Sequence, residues 1–256
     1  MKVVILCGGQ GTRLREETEY RPKPMVEVGG KPIVLHIMKT YAHYGFDEFV
    51  LCLGYKGDFI KQYFLNYKYI ESDFTVKLGS MGDIEVHNEN KRENWSVTLV
   101  DTGEHTLTGG RIKRIEPYID GDQFMATYGD GVADINIDEL MAFHADKGRI
   151  GTLTGVHPSS RYGLVETDEG GEVARFIEKP RMEEMISAGF FVFERDIFDF
   201  IPEEDCMLEC EPFEALVAER QMNLFHHKGY WQCMDTYRDF LELNDIWSRE
   251  APWKAG

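Results

Sequence analysis

The sequence predicts an α/β fold: a Rossmann-like, mixed but mostly parallel sheet flanked by helices, with a small antiparallel subregion. Three observations predict it. The chain opens on a continuous β-branched run, Lys2 to Leu6, as expected of a strand buried on both faces. Short apolar runs then alternate with stretches of helical spacing through the first half, the pattern of a parallel sheet with crossover helices. The second half carries a hairpin signal instead, Asp168-Glu169-Gly170-Gly171 between Leu164 to Thr167 and Val173 to Ile177.

After the first strand, Lys31 to Tyr44 places Ile33, Ile37, Met38 and Tyr41 at helical spacing. Phe49 to Leu53 reads as a buried strand, Phe59 to Tyr67 as a helix and Val97 to Asp101 as a strand. A helix from about Gly110 to Ile119 follows, then strands at Phe124 to Tyr128 and Gly151 to Val156 around a helix at Ile137 to Ala145. Phe190 to Phe193 is a short strand, and Pro212 to Glu219 a helix with proline at a tolerated first-turn position. Asn223 to His226 and Tyr230 to Met234 read as edge strands, and Tyr237 to Trp247 as a helix with Phe240, Leu243 and Trp247 on one face. The polar stretch from Ser72 to Asn94 reads as an irregular insertion. The expected organisation is a single domain over 1–256, in two parts, 1–150 and 151–256.

Lys and Arg number 28 against 45 Asp and Glu, a formal net charge of −17. Such a surface repels nucleic acid and anionic membranes. Any phosphate site must work through local cations, backbone N–H groups and a metal. No apolar run approaches the ~20 residues of a membrane span or the shape of a signal peptide, so a soluble, cytoplasmic protein is expected. The five cysteines, Cys7, Cys52, Cys206, Cys210 and Cys233, form no CxxC and read as free thiols.

The first strand runs into Leu6-Cys7-Gly8-Gly9-Gln10-Gly11-Thr12-Arg13-Leu14. In an open parallel sheet, ligands bind beyond the carboxyl ends of strands. Glycines there let the backbone approach a polyphosphate, and Arg13 adds a forked, permanently charged contact. A Walker A loop would need Gly-Lys-Ser/Thr, and a dinucleotide fingerprint a third glycine at Leu14; neither is present. A bare glycine turn is the plainer reading of the loop alone. It is outweighed by Arg21-Pro22-Lys23-Pro24-Met25, where two prolines give one lysine a rigid mount.

G-G-x-G-T-R-L followed by R-P-K-P-M resembles the sugar-phosphate nucleotidyltransferases, which join a nucleoside triphosphate to a sugar 1-phosphate on a GT-A-like fold. The resemblance implies that Arg13 and Lys23 are catalytic, binding the triphosphate and stabilising the transition state. It implies that Asp130, in Tyr128-Gly129-Asp130-Gly131, and Asp235, in Met234-Asp235-Thr236, hold Mg²⁺. From sequence alone the first reads equally as a turn and the second as a helix cap. Lys179, in Glu178-Lys179-Pro180, is implied to bind the sugar phosphate, with Tyr128, Gly163, Glu178, Gly189 and Trp231 around the same substrate. The expected nucleotide contacts are Leu6, Gly8, Gly9, Gln10, Gly11, Thr12, Arg13, Lys23, Thr102, Gly103, Thr108, Gly109, Arg111 and Gly129.

Within the family the resemblance runs along nearly the whole chain toward members that use CTP and glucose 1-phosphate. It is carried by Leu99 to Gly103, Thr108 to Arg111, Gly129 to Asp134, Arg161-Tyr162-Gly163, Gly189 to Val192 and Trp231 to Thr236. Thr102–Gly103 and Thr108–Gly109 stand where relatives read the base. Ser187-Ala188-Gly189 departs from the Asn-Gly-Gly common in those members, and Cys233 from a common Pro; both flank the sugar pocket, so a related hexose phosphate stays open. A thymidylyl- or uridylyltransferase is the alternative enzyme. A non-catalytic regulatory subunit is disfavoured because Arg13, Lys23, Asp130 and Asp235 are all present. The resemblance further implies homo-oligomers, including hexamers, and a product, CDP-glucose, destined for surface polysaccharide such as O-antigen.

Overall fold

The computed structural model describes residues 1–79, 83–87 and 93–254. Seven strands make the central sheet: β1 (Lys2–Cys7), β2 (Glu48–Leu53), β3 (Ser96–Asp101), β4 (Gln123–Tyr128), β5 (Gly151–Val156), β6 (Ile186–Glu194) and β7 (Met222–His226). Their order is β7-β5-β6-β4-β1-β2-β3. All run parallel except β6, which is antiparallel to both of its neighbours. The mixed, mostly parallel sheet expected from the alternation is therefore observed.

Side chains alternate between two cores. Val3, Ile5 and Cys7 of β1 join Phe49, Leu51 and Leu53 of β2 on one face, with Phe190 and Val192 of β6 and the helix Ile33–His43. Val4 and Leu6 join Val50, Cys52, Phe124, Ala126, Phe191 and Phe193 on the other. Both faces are covered, which is why these strands read as unbroken apolar runs. The register pairs Cys7 with Leu53 and Leu6 with Tyr128, so β1, β2 and β4 end together. The glycine loop leaves the sheet at that shared carboxyl edge.

Several elements differ from expectation. The helix expected over Gly110 to Ile119 is Thr108–Arg114, followed by a 3-10 turn at Glu116–Tyr118. Pro117 lacks the N–H a continuing helix needs and disfavours helical backbone before it. The Phe59 to Tyr67 helix divides into Gly57–Leu65 and Tyr67–Ile70. Within the insertion, Phe74–Val76 and Ile84–Val86 pair as an antiparallel hairpin; its positions 80–82 and 88–92 lie outside the described residues. Leu164–Thr167 and Val173–Ile177 form the expected hairpin, separate from the central sheet.

The most consequential difference concerns Trp231–Cys233. Expected as an edge strand, it pairs antiparallel with Gly131–Ala133, directly after β4, as an isolated two-stranded ladder. Cys233 lies opposite Gly131, and the Met234 N–H donates to the Asp130 carbonyl at 2.9 Å. Residues a hundred positions apart are thereby placed side by side. The final helix, Tyr237–Arg249, then packs back on the first half, its Trp247 ring lying against Gly29 in the turn between Glu27–Val28 and Lys31–Pro32.

Gly29 has φ +60°, and a Cβ there would overlap the Trp247 indole. Gly29→Ala therefore combines left-handed strain with overpacking and is expected to destabilise the fold by about 2–4 kcal/mol. Urea denaturation of the variant checks this; an unchanged midpoint would contradict the packing argument.

Candidate active site

At the carboxyl edge of the sheet the glycines have distinct tasks. Gly11 adopts φ +62° as it opens the 3-10 turn Thr12–Leu14, a conformation that favours glycine. Gly8 lies so close to the Arg111 guanidinium that a Cβ would overlap it. A Cβ on Gly9 would meet nothing within 4 Å, and Gly8, Gly9 and Gln10 all line a cavity of about 380 Å³. Leu6, Lys23, Thr108, Arg111, Tyr128, Gly129 and Asp130 line the same cavity. Gly11 and Thr12 do not; Thr12 lines a separate cleft with Tyr55.

Lys23 sits where the prolines place it. Pro22 is extended (φ −68°, ψ 150°), and Lys23–Met25 forms a 3-10 turn with Pro24 and Met25 buried. The Lys23 ammonium lies 2.6 Å from Asp130 Oδ2 and 2.6 Å from Asp235 Oδ1. Arg13 reaches the same Asp235 oxygen at 3.1 Å, with its side chain 71% exposed. Asp235 is not a helix cap. Thr236 caps the final helix in a capping box with Asp239, which leaves the Asp235 carboxylate for Lys23 and Arg13. Asp239 is itself buried and accepts from the Asp235 and Thr236 N–H groups while Arg161 approaches it at 3.2 Å.

A second cavity, of about 670 Å³, opens on the other side of this cluster. Asp235, Lys179 and Trp231 line it, together with Arg161, Arg181, Lys228 and Arg238, which sequence reasoning missed. Of the five cations, Lys179 and Arg161 stand in motifs, Glu178-Lys179-Pro180 and Arg161-Tyr162-Gly163, and only Lys179 is expected in the site. The Trp231 indole donates to the Ala188 carbonyl at 2.8 Å, fixing one wall. Gly163 and Glu178 lie near Phe176 on the hairpin and do not line this cavity. Gly189 (φ +78°) lines neither cavity; its missing Cβ makes room for the Tyr128 ring.

Three expected nucleotide contacts have other tasks. Thr102 is fully buried, and its hydroxyl donates to the Leu53 carbonyl at 2.7 Å while accepting from Arg111. Gly109 is buried, and its N–H donates to the Cys206 carbonyl. Arg111 is 4% exposed and donates to the carbonyls of Gly8, Leu53, Gly103 and Glu104. It braces the glycine loop from beneath, with one edge lining the cavity. The wall is instead formed by Glu104 to Thr108, with Met207 from the second half. This short polar loop has no periodic pattern or motif that a sequence reading could use.

Burial alone would push the Lys23 pKa down, but the two carboxylates outweigh it and the net shift is upward. Burial would raise Asp235, yet the Lys23 hydrogen bond and the charges of Lys23 and Arg13 hold its carboxyl below the usual range. The cluster's stabilisation is thus present above the ordinary carboxyl range and below the ordinary lysine range. It is lost as pH falls through the depressed Asp235 value or rises through the raised Lys23 value. The urea stability of the wild type minus that of Lys23→Met is expected to be about 3 kcal/mol near pH 8. It should shrink on acidification, as the two carboxylates left facing each other in the variant take up a proton and as Asp235 of the wild type is protonated. A difference that does not fall as the pH is lowered would contradict the assignment.

The geometry can be set beside known proteins. Residues 2–249 match the family model described as nucleotidyl transferase. The chain is 46% identical over 258 residues to the glucose-1-phosphate cytidylyltransferase of Salmonella typhi, covering 100% of this chain and 99% of that one. It is 30% identical to the mannose-1-phosphate guanylyltransferase catalytic subunit beta of Dictyostelium discoideum, covering 98% of this chain and 67% of the relative. The crystal structure of HddC from Yersinia pseudotuberculosis shares the fold, with a TM-score of 0.69 at 24% identity over 95% and 98% of the two chains. By the extent of that family match and of these identities, the chain belongs to the nucleotidyl transferase family.

Proposed function

We propose that the protein transfers a cytidylyl group from CTP to α-D-glucose 1-phosphate, giving CDP-glucose and pyrophosphate. One observation carries this reading: two cavities meet at the Lys23–Asp130–Asp235 cluster, the first at Asp130 and the second at Asp235. The first has a glycine-loop floor and a wall on which Leu6, Leu107 and Met207 present apolar surface, suited to a nucleotide. The second has five cationic side chains suited to a phosphorylated sugar. The near-identical length and 46% identity shared with a glucose-1-phosphate cytidylyltransferase support these two substrates.

In this reading a phosphate oxygen of the sugar phosphate attacks the α-phosphorus, and the bond from that phosphorus to the bridging oxygen breaks. Pyrophosphate leaves with the electron pair. The attacking oxygen is already ionised near neutral pH, so no general base is required. Both reactants are anionic, so the protein's work is positioning and charge neutralisation. Gly8, Gly9 and Gln10 offer backbone to the triphosphate, and Lys23 and Arg13 balance charge where it develops. Lys179 and its cationic neighbours hold the sugar phosphate.

Asp130 and Asp235 fit a hard divalent cation, because two carboxylates from separate segments already converge on one positive charge. Among the described residues no group of three or more His, Cys, Asp or Glu is placed to hold a metal, so substrate oxygens and water would complete the coordination of Mg²⁺. When bound, Mg²⁺ would supply further neutralisation of the triphosphate. The same reading makes 1–150 the mainly nucleotide-binding part and 151–256 the mainly sugar-phosphate-binding part, although Met207 from the second part also lines the nucleotide cavity.

Pyrophosphate release with CTP, UTP, dTTP, ATP and GTP, crossed with several hexose 1-phosphates, tests the assignment. CTP with glucose 1-phosphate should dominate; turnover with dTTP or UTP and none with CTP would refute it. Asp235→Asn should lower kcat/KM about 10³-fold, the scale of losing a transition-state charge partner, and undiminished turnover would remove its assigned role. A homo-oligomer is expected in solution, and light scattering that finds a monomer would reject it.

A further inference from the structure

Glu209 belongs to no motif and lines neither cavity, yet it joins two residues of the nucleotide wall. The Thr108 hydroxyl donates to Glu209 Oε2 at 2.7 Å, and the Tyr128 hydroxyl donates to Glu209 Oε1. Thr108 and Tyr128 come from different elements of the first half, and Glu209 crosses from the loop before the helix Glu211–Ala218. An ionised carboxylate only accepts hydrogen bonds. Each hydroxyl has one proton, and both protons are committed to Glu209. The Leu208 N–H donates to Thr108 Oγ1 at 2.9 Å, which holds that oxygen in the same sense. What remains for the cavity is a lone pair on each oxygen.

We infer that Glu209 is a specificity-determining positioning residue: by fixing Thr108 and Tyr128 as acceptors, it makes the nucleotide cavity select a base that presents an amino donor. The inference rests on the nucleotide reading of this cavity and deepens it. Cytosine offers an amino group at the 4-position where uracil and thymine offer a carbonyl. A carbonyl set against two lone pairs leaves polar groups unpaired on both sides, the situation that discriminates most strongly between near-isosteric ligands. Leu6, Leu107 and Met207 line the same cavity and supply apolar surface for a flat ring without distinguishing one pyrimidine from another.

Replacing Glu209 by glutamine keeps the size but introduces an amide NH₂ that donates. One hydroxyl must then accept from it and turn its proton toward the cavity, where it can meet a carbonyl. The expected result for Glu209→Gln is a fall of at least about tenfold in the ratio of kcat/KM for CTP to that for UTP, with part of the change arising as a lower KM for UTP. An equal loss with both nucleotides at an unchanged ratio would overturn the inference and leave Glu209 a structural strut. A second measurement needs no variant. The wild-type enzyme is given the triphosphate of pyrimidin-2-one riboside, which has hydrogen in place of the amino group. Its kcat/KM should fall at least about tenfold below that of CTP, and equal use would overturn the inference. The two readings fail separately. A wild type that does not use CTP refutes the cytidylyl assignment, whereas a CTP-selective wild type whose Glu209→Gln ratio is unchanged refutes the role of Glu209 alone.

Discussion

The Lys23 ammonium holds together two carboxylates that would otherwise repel. Its partners stand 107 and 212 positions away in the chain, and it lies within 2.6 Å of both. Everything at the carboxyl edge of the sheet is organised around that contact. The proline-flanked turn delivers the lysine, β4 delivers Asp130, and the ladder between Gly131–Ala133 and Trp231–Cys233 carries Asp235 into place. Removing the lysine would leave two half-buried negative charges facing each other, a larger penalty than losing an ordinary surface ion pair.

That arrangement also explains how a protein of net charge −17 can handle anionic ligands. The global field opposes them, but the site is local. On one side of the cluster, backbone groups and apolar surface dominate; on the other, Arg161, Lys179, Arg181, Lys228 and Arg238 concentrate positive charge in one cavity. Over distances of a Debye length the acidic exterior is screened, whereas charges inside a concave wall are screened much less. Composition therefore speaks to what the surface repels and says little about what a cavity attracts.

Legibility followed the range of the interactions. The strands buried on both faces were readable because each carries its own unbroken apolar run; the helix expected to reach Ile119 stops instead at Arg114, and that expected over Phe59 to Tyr67 divides in two. Lys23 was readable because its constraint is local, a proline on either side. Thr102 and Arg111 were legible as a motif but not in their roles. The structure uses them beneath the glycine loop, since a buried arginine must find carbonyl acceptors and the ends of β2 and β3 provide them. Glu104 to Leu107, Arg238 and Glu209 carried no signal, because their significance depends on what lies across a cavity.

By itself the sequence determined the parallel α/β scaffold, the glycine loop at the end of its first strand and the rigid mount for Lys23. These are consequences of side-chain periodicity and backbone restriction within a few residues. Only the tertiary structure decided that Asp235 is free of capping duty and shares a cation with Asp130, that two cavities meet there, and that Glu209 orients Thr108 and Tyr128. Those outcomes need segments separated by roughly a hundred residues or more to be brought into hydrogen-bond contact. Nothing in local propensity encodes such pairings; they exist only once the sheet has set the register of its strands and the last helix has closed against the first half.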